Sequence, residues 1–293
     1  AAVGDTACSC RLGERGADML SERTLRQALE EDIGRGDITS EAIGSSRVLA
    51  KADLIIKSPG ILAGGEIAQR VFRLLDPGIE FHLLVNDGDP VREGDIIASI
   101  AGNADSILAG ERVALNFLQR LSGIATATHT AVQAAKPFGV AITDTRKTTP
   151  GLRILEKYAV RMGGGKNHRF GLDDAILIKD NHIKVAGGVA EAITLVRSHI
   201  GHMLKVEVEV ETFDEVREAV AADADVIMLD NMEPDEMKQA VSIVAGRTIV
   251  EASGGITPAQ VASAAATGVD VISLGWITHS APPLDISLDI RID

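Results

Sequence analysis

Ionisable and glycine-rich groups recur at regular intervals through the second half of this 293-residue chain. Asp144-Thr145-Arg146-Lys147 follows one apolar run, Lys179-Asp180-Asn181-His182 a second, and Glu209 and Glu211 close a third. Asp230-Asn231 follows a fourth, Ser253-Gly254-Gly255 a fifth and Gly275 a sixth. Each group alone has an ordinary reading: Arg-Lys makes surface turns, Ser-Gly-Gly makes tight turns, and a carboxylate pair can simply neutralise Lys147 or Lys179. Taken together they describe an anion-handling site. Guanidinium groups such as Arg146 and Arg169, with His168, offer donors matched to carboxylate oxygens. Glu209 and Asp230 can share a hard cation, and Mg2+ fits because it takes few protein carboxylates and keeps several waters. A Ser-Gly-Gly turn ahead of a helix start can cradle a phosphate, with Gly275 as its partner.

The local charge supports this chemistry. Between residues 144 and 184 nine lysines and arginines stand against five carboxylates, in a chain whose formal net charge is −13. A positive basin on an acidic protein suits a small polyanion. Nucleic acid is disfavoured by the net charge and by an aromatic content of only 3%, since such partners call for a basic face and stacking rings. Gly163-Gly164-Gly165 leaves two readings open, a helix C-cap or amides that approach an anion.

These groups need a scaffold that gathers strand ends. Strands are expected over 140–143, 175–178, 204–210, 226–229, 248–251 and 271–274, with helices over 151–161, 188–200, 212–222, 234–244 and 258–266. Thr212 with Glu215, and Thr257 before Pro258, signal two of the helix starts. Strict alternation with short links means a parallel sheet or barrel. In Lys205-Val-Glu-Val-Glu-Val-Glu211 all three glutamates lie on one face, which favours a barrel with polar residues in its lumen. Ahead of this part lie a helix over 24–33, a glycine-containing turn over 32–37, strands over 48–57, 80–85 and 95–100, a helix over 65–75 and a long helical stretch over 107–135. The alternating run 284–292 looks like a strand that returns to this first module. Residues 1–20 are expected to be a loosely ordered lead-in without the apolar core of a secretory signal. Their Cys8 and Cys10 provide no disulfide framework, and two thiols fall short of the four ligands of a structural zinc site, so a reducing, cytoplasmic setting is expected. No apolar run approaches the ~20 residues of a membrane span.

Thr143-Asp-Thr-Arg-Lys-Thr-Thr-Pro-Gly-Leu-Arg153, Gly163-Gly-Gly-Lys-Asn-His-Arg169, Ile178-Lys-Asp-Asn-His182 and Val206-Glu-Val-Glu-Val-Glu211 resemble the quinolinate phosphoribosyltransferase family. Gly110-Glu-Arg-Val-Ala-Leu-Asn116 and Leu121-Ser-Gly123 extend the likeness, which runs from about Thr24 onward. The resemblance implies the fold class α/β: an N-terminal α/β sandwich-like domain (1–115, completed by a strand in 282–293) plus an incomplete α/β barrel (116–281). It implies transfer of phosphoribosyl from phosphoribosyl pyrophosphate to quinolinate with decarboxylation, a step of NAD biosynthesis, using Mg2+ in a homodimer that can assemble further. Quinolinate is then met by Arg146, His168, Arg169 and Lys179, with Thr145 adding a hydroxyl and Arg112 reaching in from the neighbouring subunit. Phosphoribosyl pyrophosphate lies against Lys147, Lys179, Glu209 and Asp230, with its 5′-phosphate at Ser253, Gly254, Gly255, Gly275 and His279. Trp276 departs from the pattern, standing where a small residue is expected.

Overall fold

A computed structural model describes residues 11–45 and 48–292, with side chains from residue 22 onward. Cys8 and Cys10 lie outside the described residues, as does the first half of the expected lead-in. Helix α1 (Arg11–Ile33) begins thirteen residues before the expected helix, so the lead-in reading of residues 11–20 is corrected. The chain forms two compact units, one of residues up to Leu121 together with those from Leu284, the other Ser122–Pro283.

In the first unit α1 is followed by α2 (Ile38–Ile43), β1 (Leu49–Ile56), β2 (Gly60–Ile61), α3 (Gly65–Leu75), β3 (Glu80–Leu83), β4 (Pro90–Val91), β5 (Ile96–Asn103) and the start of α4 (Ala104–Ala135). The sheet order is Ile286–Ile292, β1, β5, β3. The final strand pairs antiparallel with β1 from Ala50↔Ile292 to Ile56↔Ile286, so the run 284–292 does return to this module. Side-chain caps start the short helices: Asp37 accepts from the amides of Thr39 and Ser40, and Asp87 from those of Gly64 and Gly65 at 2.8 and 2.9 Å. Phe72 of α3 meets Phe81 of β3 with ring centroids 5.8 Å apart. Helix α2 was not foreseen, because six residues carry too little periodicity to stand out.

The second unit alternates β6 (Ala141–Thr143), α5 (Arg153–Met162), β7 (Ile176–Ile178), α6 (Asp180–Ala186), α7 (Val189–His199), β8 (Val206–Val210), α8 (Phe213–Ala221), β9 (Val226–Asp230), α9 (Pro234–Val244), β10 (Ile249–Ser253), α10 (Val261–Ala265), β11 (Val271–Ser273) and α11 (Trp276–His279). All six strands pair in parallel in the order β6, β11, β10, β9, β8, β7, leaving β6 and β7 as the two ends of an unclosed sheet. Val206, Val208 and Val210 are buried on one face of β8, while Glu207, Glu209 and Glu211 pass from buried to exposed along the other. That gradient marks a lumen running from a closed floor to an open mouth. The expected capping pair is present: Glu215 N–H donates to Thr212 Oγ1 at 3.2 Å, and Thr212 N–H to Glu215 Oε2 at 3.0 Å. No helix among the described residues is long and apolar enough to cross a membrane.

Candidate active site

At the mouth of the second unit lies a cavity of about 490 Å³ lined by Thr145, Arg146, Lys147, His168, Arg169, Lys179, Glu209, Asp230, Ser253, Gly254 and Gly255, together with Asn231, Ser273, Leu177 and Met228. The parallel register explains the gathering. Ser253 stands opposite Asp230 on the adjoining strand, and Ile178 opposite Val208, which places Lys179 beside Glu209. Lys179 Nζ donates to Glu209 Oε2 at 2.5 Å. Burial first, and Glu209 next, raise the proton affinity of Asp230, against the pull of Lys179 and Lys147. Two carboxylates close enough to repel one another, facing a polar cavity, fit a divalent cation bound through hard oxygens.

The cationic wall is held by a buried knot. Asp144 is fully buried and accepts from Lys157 Nζ, from Asn167 Nδ2 at 2.6 Å and from the His168 amide at 2.9 Å. Burial lowers the pKa of Lys157, and Asp144 opposes that shift. Lys157 also donates to the His168 carbonyl at 2.9 Å. Arg153 adds a second clamp, donating from Nε to Thr148 Oγ1 at 2.9 Å and from Nη1 to the Phe170 carbonyl at 3.0 Å. The backbone of the Arg146–Arg169 wall is thus fixed by charges that do not line the cavity. Arg146 Nε is buried with no hydrogen-bond partner among the described residues, a donor that an incoming anion could satisfy. Burial, followed by the charge of Arg146, pulls Arg169 below the usual guanidinium value.

The glycine cluster resolves to its C-cap reading. The amides of Gly163, Gly164 and Gly165 donate to the carbonyls of Ala159, Arg161 and Val160, so none is left for an anion. A Cβ on Gly163 would sit 2.4 Å from the Ala125 carbonyl oxygen of α4, which is why a side chain is excluded there. Lys166 then pairs with β6 through a bridge to Thr143, steering His168 and Arg169 inward. At the phosphate candidate, Gly254 has φ +86° and would bring a Cβ within 2.3 Å of Asn231 Oδ1. Glycine is needed there on both counts.

Gly275 lies against the Lys147 and His279 side chains, and Thr278 Oγ1 donates to the Lys147 carbonyl at 2.8 Å. Trp276 directs its indole Nε1–H to the Ile256 carbonyl at 2.9 Å, bracing the loop after Gly255. Arg112 is exposed on α4 in the first unit, whereas the residues lining the cavity belong to the second. His168, expected to donate to a carboxylate, has both ring nitrogens engaged by the protein: Nδ1 accepts the Arg169 amide and Nε2 faces Glu207. Sequence reasoning did not single out Asp144, Lys157, Asn167, Arg153, Glu207 or Glu251 for roles. Five of them are ionisable residues in or next to an apolar strand or helix, which calls for a buried partner, whereas Asn167 is a neutral amide in a loop and gave no such signal.

Residues 37–122 match quinolinate phosphoribosyl transferase, N-terminal domain, and residues 124–289 match quinolinate phosphoribosyl transferase, C-terminal domain. The chain is 49% identical over 271 residues to a protein of Bacillus subtilis (strain 168) named probable nicotinate-nucleotide pyrophosphorylase (carboxylating), covering 92% of this chain and 93% of that one. It is 42% identical over 288 residues to quinolinate phosphoribosyltransferase (decarboxylating) 2b, mitochondrial, of Nicotiana tabacum, covering 92% and 82% of the two chains. The crystal structure of NadC from Streptococcus pyogenes superposes with a TM-score of 0.90 at 42% identity, covering 99% of this chain and 100% of that one.

Proposed function

Because the chain belongs to the quinolinate phosphoribosyltransferase family, we infer that it transfers phosphoribosyl from phosphoribosyl pyrophosphate to the pyridine nitrogen of quinolinate, releasing pyrophosphate and CO2 and leaving nicotinate mononucleotide. The observation that carries this reading is the convergence of Arg146, Lys147, Arg169 and Lys179 with Glu209, Asp230 and the 253–255 turn in one cavity. A dicarboxylate needs several fixed cations, a phosphoribosyl donor needs carboxylates beside cations, and here both sets share one mouth.

Arg146, Arg169 and Lys179 hold the two substrate carboxylates, with Thr145 beside them. Ser253, Gly254 and Gly255 take the 5′-phosphate, near Gly275 and His279. As pyrophosphate departs, the ribose carbon becomes electron-poor, so Glu209 and Asp230 offset its charge while Lys147 and Lys179 neutralise the leaving oxygens. Glu209 and Asp230 would hold Mg2+, which supplies further charge neutralisation to pyrophosphate when bound. Attack by the pyridine nitrogen makes the ring cationic, and the electron pair of the C2–CO2 bond then settles on that ring as CO2 leaves. The carbon accepts a proton, so no redox partner is consumed. We place the reaction in a cytoplasmic homodimer, with Arg112 given to the neighbouring subunit's site.

Incubating the purified chain with quinolinate, phosphoribosyl pyrophosphate and Mg2+ tests the assignment, with nicotinate as the parallel substrate. The expected result is nicotinate mononucleotide and CO2 from quinolinate alone. Equal turnover of nicotinate would favour a pyridine phosphoribosyltransferase that does not decarboxylate.

A further inference from the structure

Three side chains that no step above uses meet in the lumen beneath the cavity. Glu207 of β8 and Glu251 of β10 are 8% and 4% exposed. His168 Nε2 lies 3.1 Å from Glu207 Oε2 and 3.6 Å from Glu251 Oε1. On the ring's other side Nδ1 accepts the Arg169 amide at 2.8 Å. A lone pair committed to that amide leaves the ring proton on Nε2, which donates to Glu207. The imidazole is therefore a strut between the floor carboxylates and the backbone of a guanidinium that faces the cavity. Glu207 Oε1 and Glu251 Oε1 are both buried with no hydrogen-bond partner among the described residues.

Two carboxylates that share a buried floor cannot both ionise cheaply. Burial, reinforced by Glu207, pushes Glu251 up to about 7. The groups that face it are Glu207 from β8, His168 from the segment beside β6 and the Ser273 hydroxyl from β11, while its register partner on β9 is the apolar Met228. Lys157 of α5 acts on the His168 end of the cluster, and Arg169 on Glu207. The floor can thus exchange one proton close to neutrality, directly below a wall built for anions.

We propose that Glu251 is a positioning residue for the reaction assigned above, a buried carboxyl that takes up one proton when the dicarboxylate settles on Arg146 and Arg169. The floor then sheds a negative charge as the mouth gains two, and the His168 strut keeps its two bonds. The proton comes from solvent, and no covalent bond of the substrate is involved. The proposal rests on the quinolinate reading.

Calorimetric titration with quinolinate in buffers of different ionisation enthalpy, from pH 6 to 8, measures that proton directly. The wild-type chain should take up a fraction of a proton that grows above pH 7, with quinolinate affinity falling by up to about tenfold per pH unit there. Glu251→Gln should remove this uptake and flatten the affinity profile. A wild-type chain that does not bind quinolinate would overturn the activity assignment and the proposal with it. Uptake unchanged in Glu251→Gln would overturn the proposal alone. So would one equivalent of a divalent metal found by elemental analysis in the wild type and lost in that variant, because the trio would then be a metal site. Infrared difference spectra of the wild-type chain labelled with 13C-glutamate need no variant. Quinolinate at pH 7.5 should induce a protonated-carboxyl band that shifts with the label, and its absence counts against the idea.

Discussion

Lys179 and Glu209 form a 2.5 Å ion pair across the ends of β7 and β8, so each stands ready to exchange its partner for substrate or metal. With the Lys179 side chain 45% exposed, the pair is reachable and adds little to stability. Lys179→Ala should lower kcat roughly 10²-fold, the usual cost of one preorganised charge at a reacting centre. Glu209→Gln should in addition raise the Mg2+ concentration needed for half-maximal rate. Steady-state kinetics across a Mg2+ series decides, and full activity in chelator would contradict the role given to Glu209 and Asp230.

Arg146→Ala and Arg169→Ala should weaken quinolinate much more than phosphoribosyl pyrophosphate. A charged hydrogen bond nets about 1.5–3 kcal/mol, so quinolinate Kd should rise roughly 10- to 100-fold for each variant. Separate calorimetry of the two ligands checks this. Equal losses for both would mean that these arginines shape the cavity rather than read the carboxylates.

The Asp144 knot predicts a stability effect. Asp144→Asn keeps the side-chain shape but strips the buried Lys157 ammonium of its counter-charge, which costs about 3–5 kcal/mol in a buried pair. Thermal unfolding should fall by roughly 6–20 °C, and quinolinate affinity should fall with it because the His168 amide loses a charged acceptor. An unchanged Tm would show that the lysine finds another partner.

Glu251 gives the fold a pH dependence of definite sign. Its folded value of about 7 lies above the ordinary carboxylate value of 4.5, so the folded state binds the proton more tightly than the unfolded chain. The stability this confers is complete below about pH 4.5 and is lost as pH rises through about 7, amounting to about 3 kcal/mol. Glu251→Gln lacks that loss and should gain in Tm over the wild type as the comparison moves from pH 5 to pH 8. A difference constant across this range would place the proton elsewhere.

The shared-site reading is tested by subunit mixing. Arg112→Ala and Lys147→Ala chains should each be nearly inactive alone. In an exchanged equal mixture half of the dimers carry both lesions in one site and none in the other, so about a quarter of wild-type activity should return. Activity that stays at the parental level after exchange is verified would assign Arg112 to its own subunit.

The alternation of strands and helices was legible because apolar runs and caps such as Thr212 with Glu215 act locally. Glu209 and Asp230 were legible for the same reason, since a carboxylate at a strand end points to a mouth. The His168 strut was not, because it joins a segment beside β6 to β8 and β10, and only the curl of the sheet brings those together. Nor could sequence choose between the readings of Gly163-Gly164-Gly165. That choice depended on where three amides found their acceptors.

The strand Ile286–Ile292 borders β1, yet it is translated only after the whole second unit. During synthesis β1 therefore waits with one edge unpaired, open to rival strands until more than two hundred further residues have left the ribosome. Nascent chains of this protein should depend on chaperones that shield strand edges late in translation, and peptides copying 286–292 should compete for that edge.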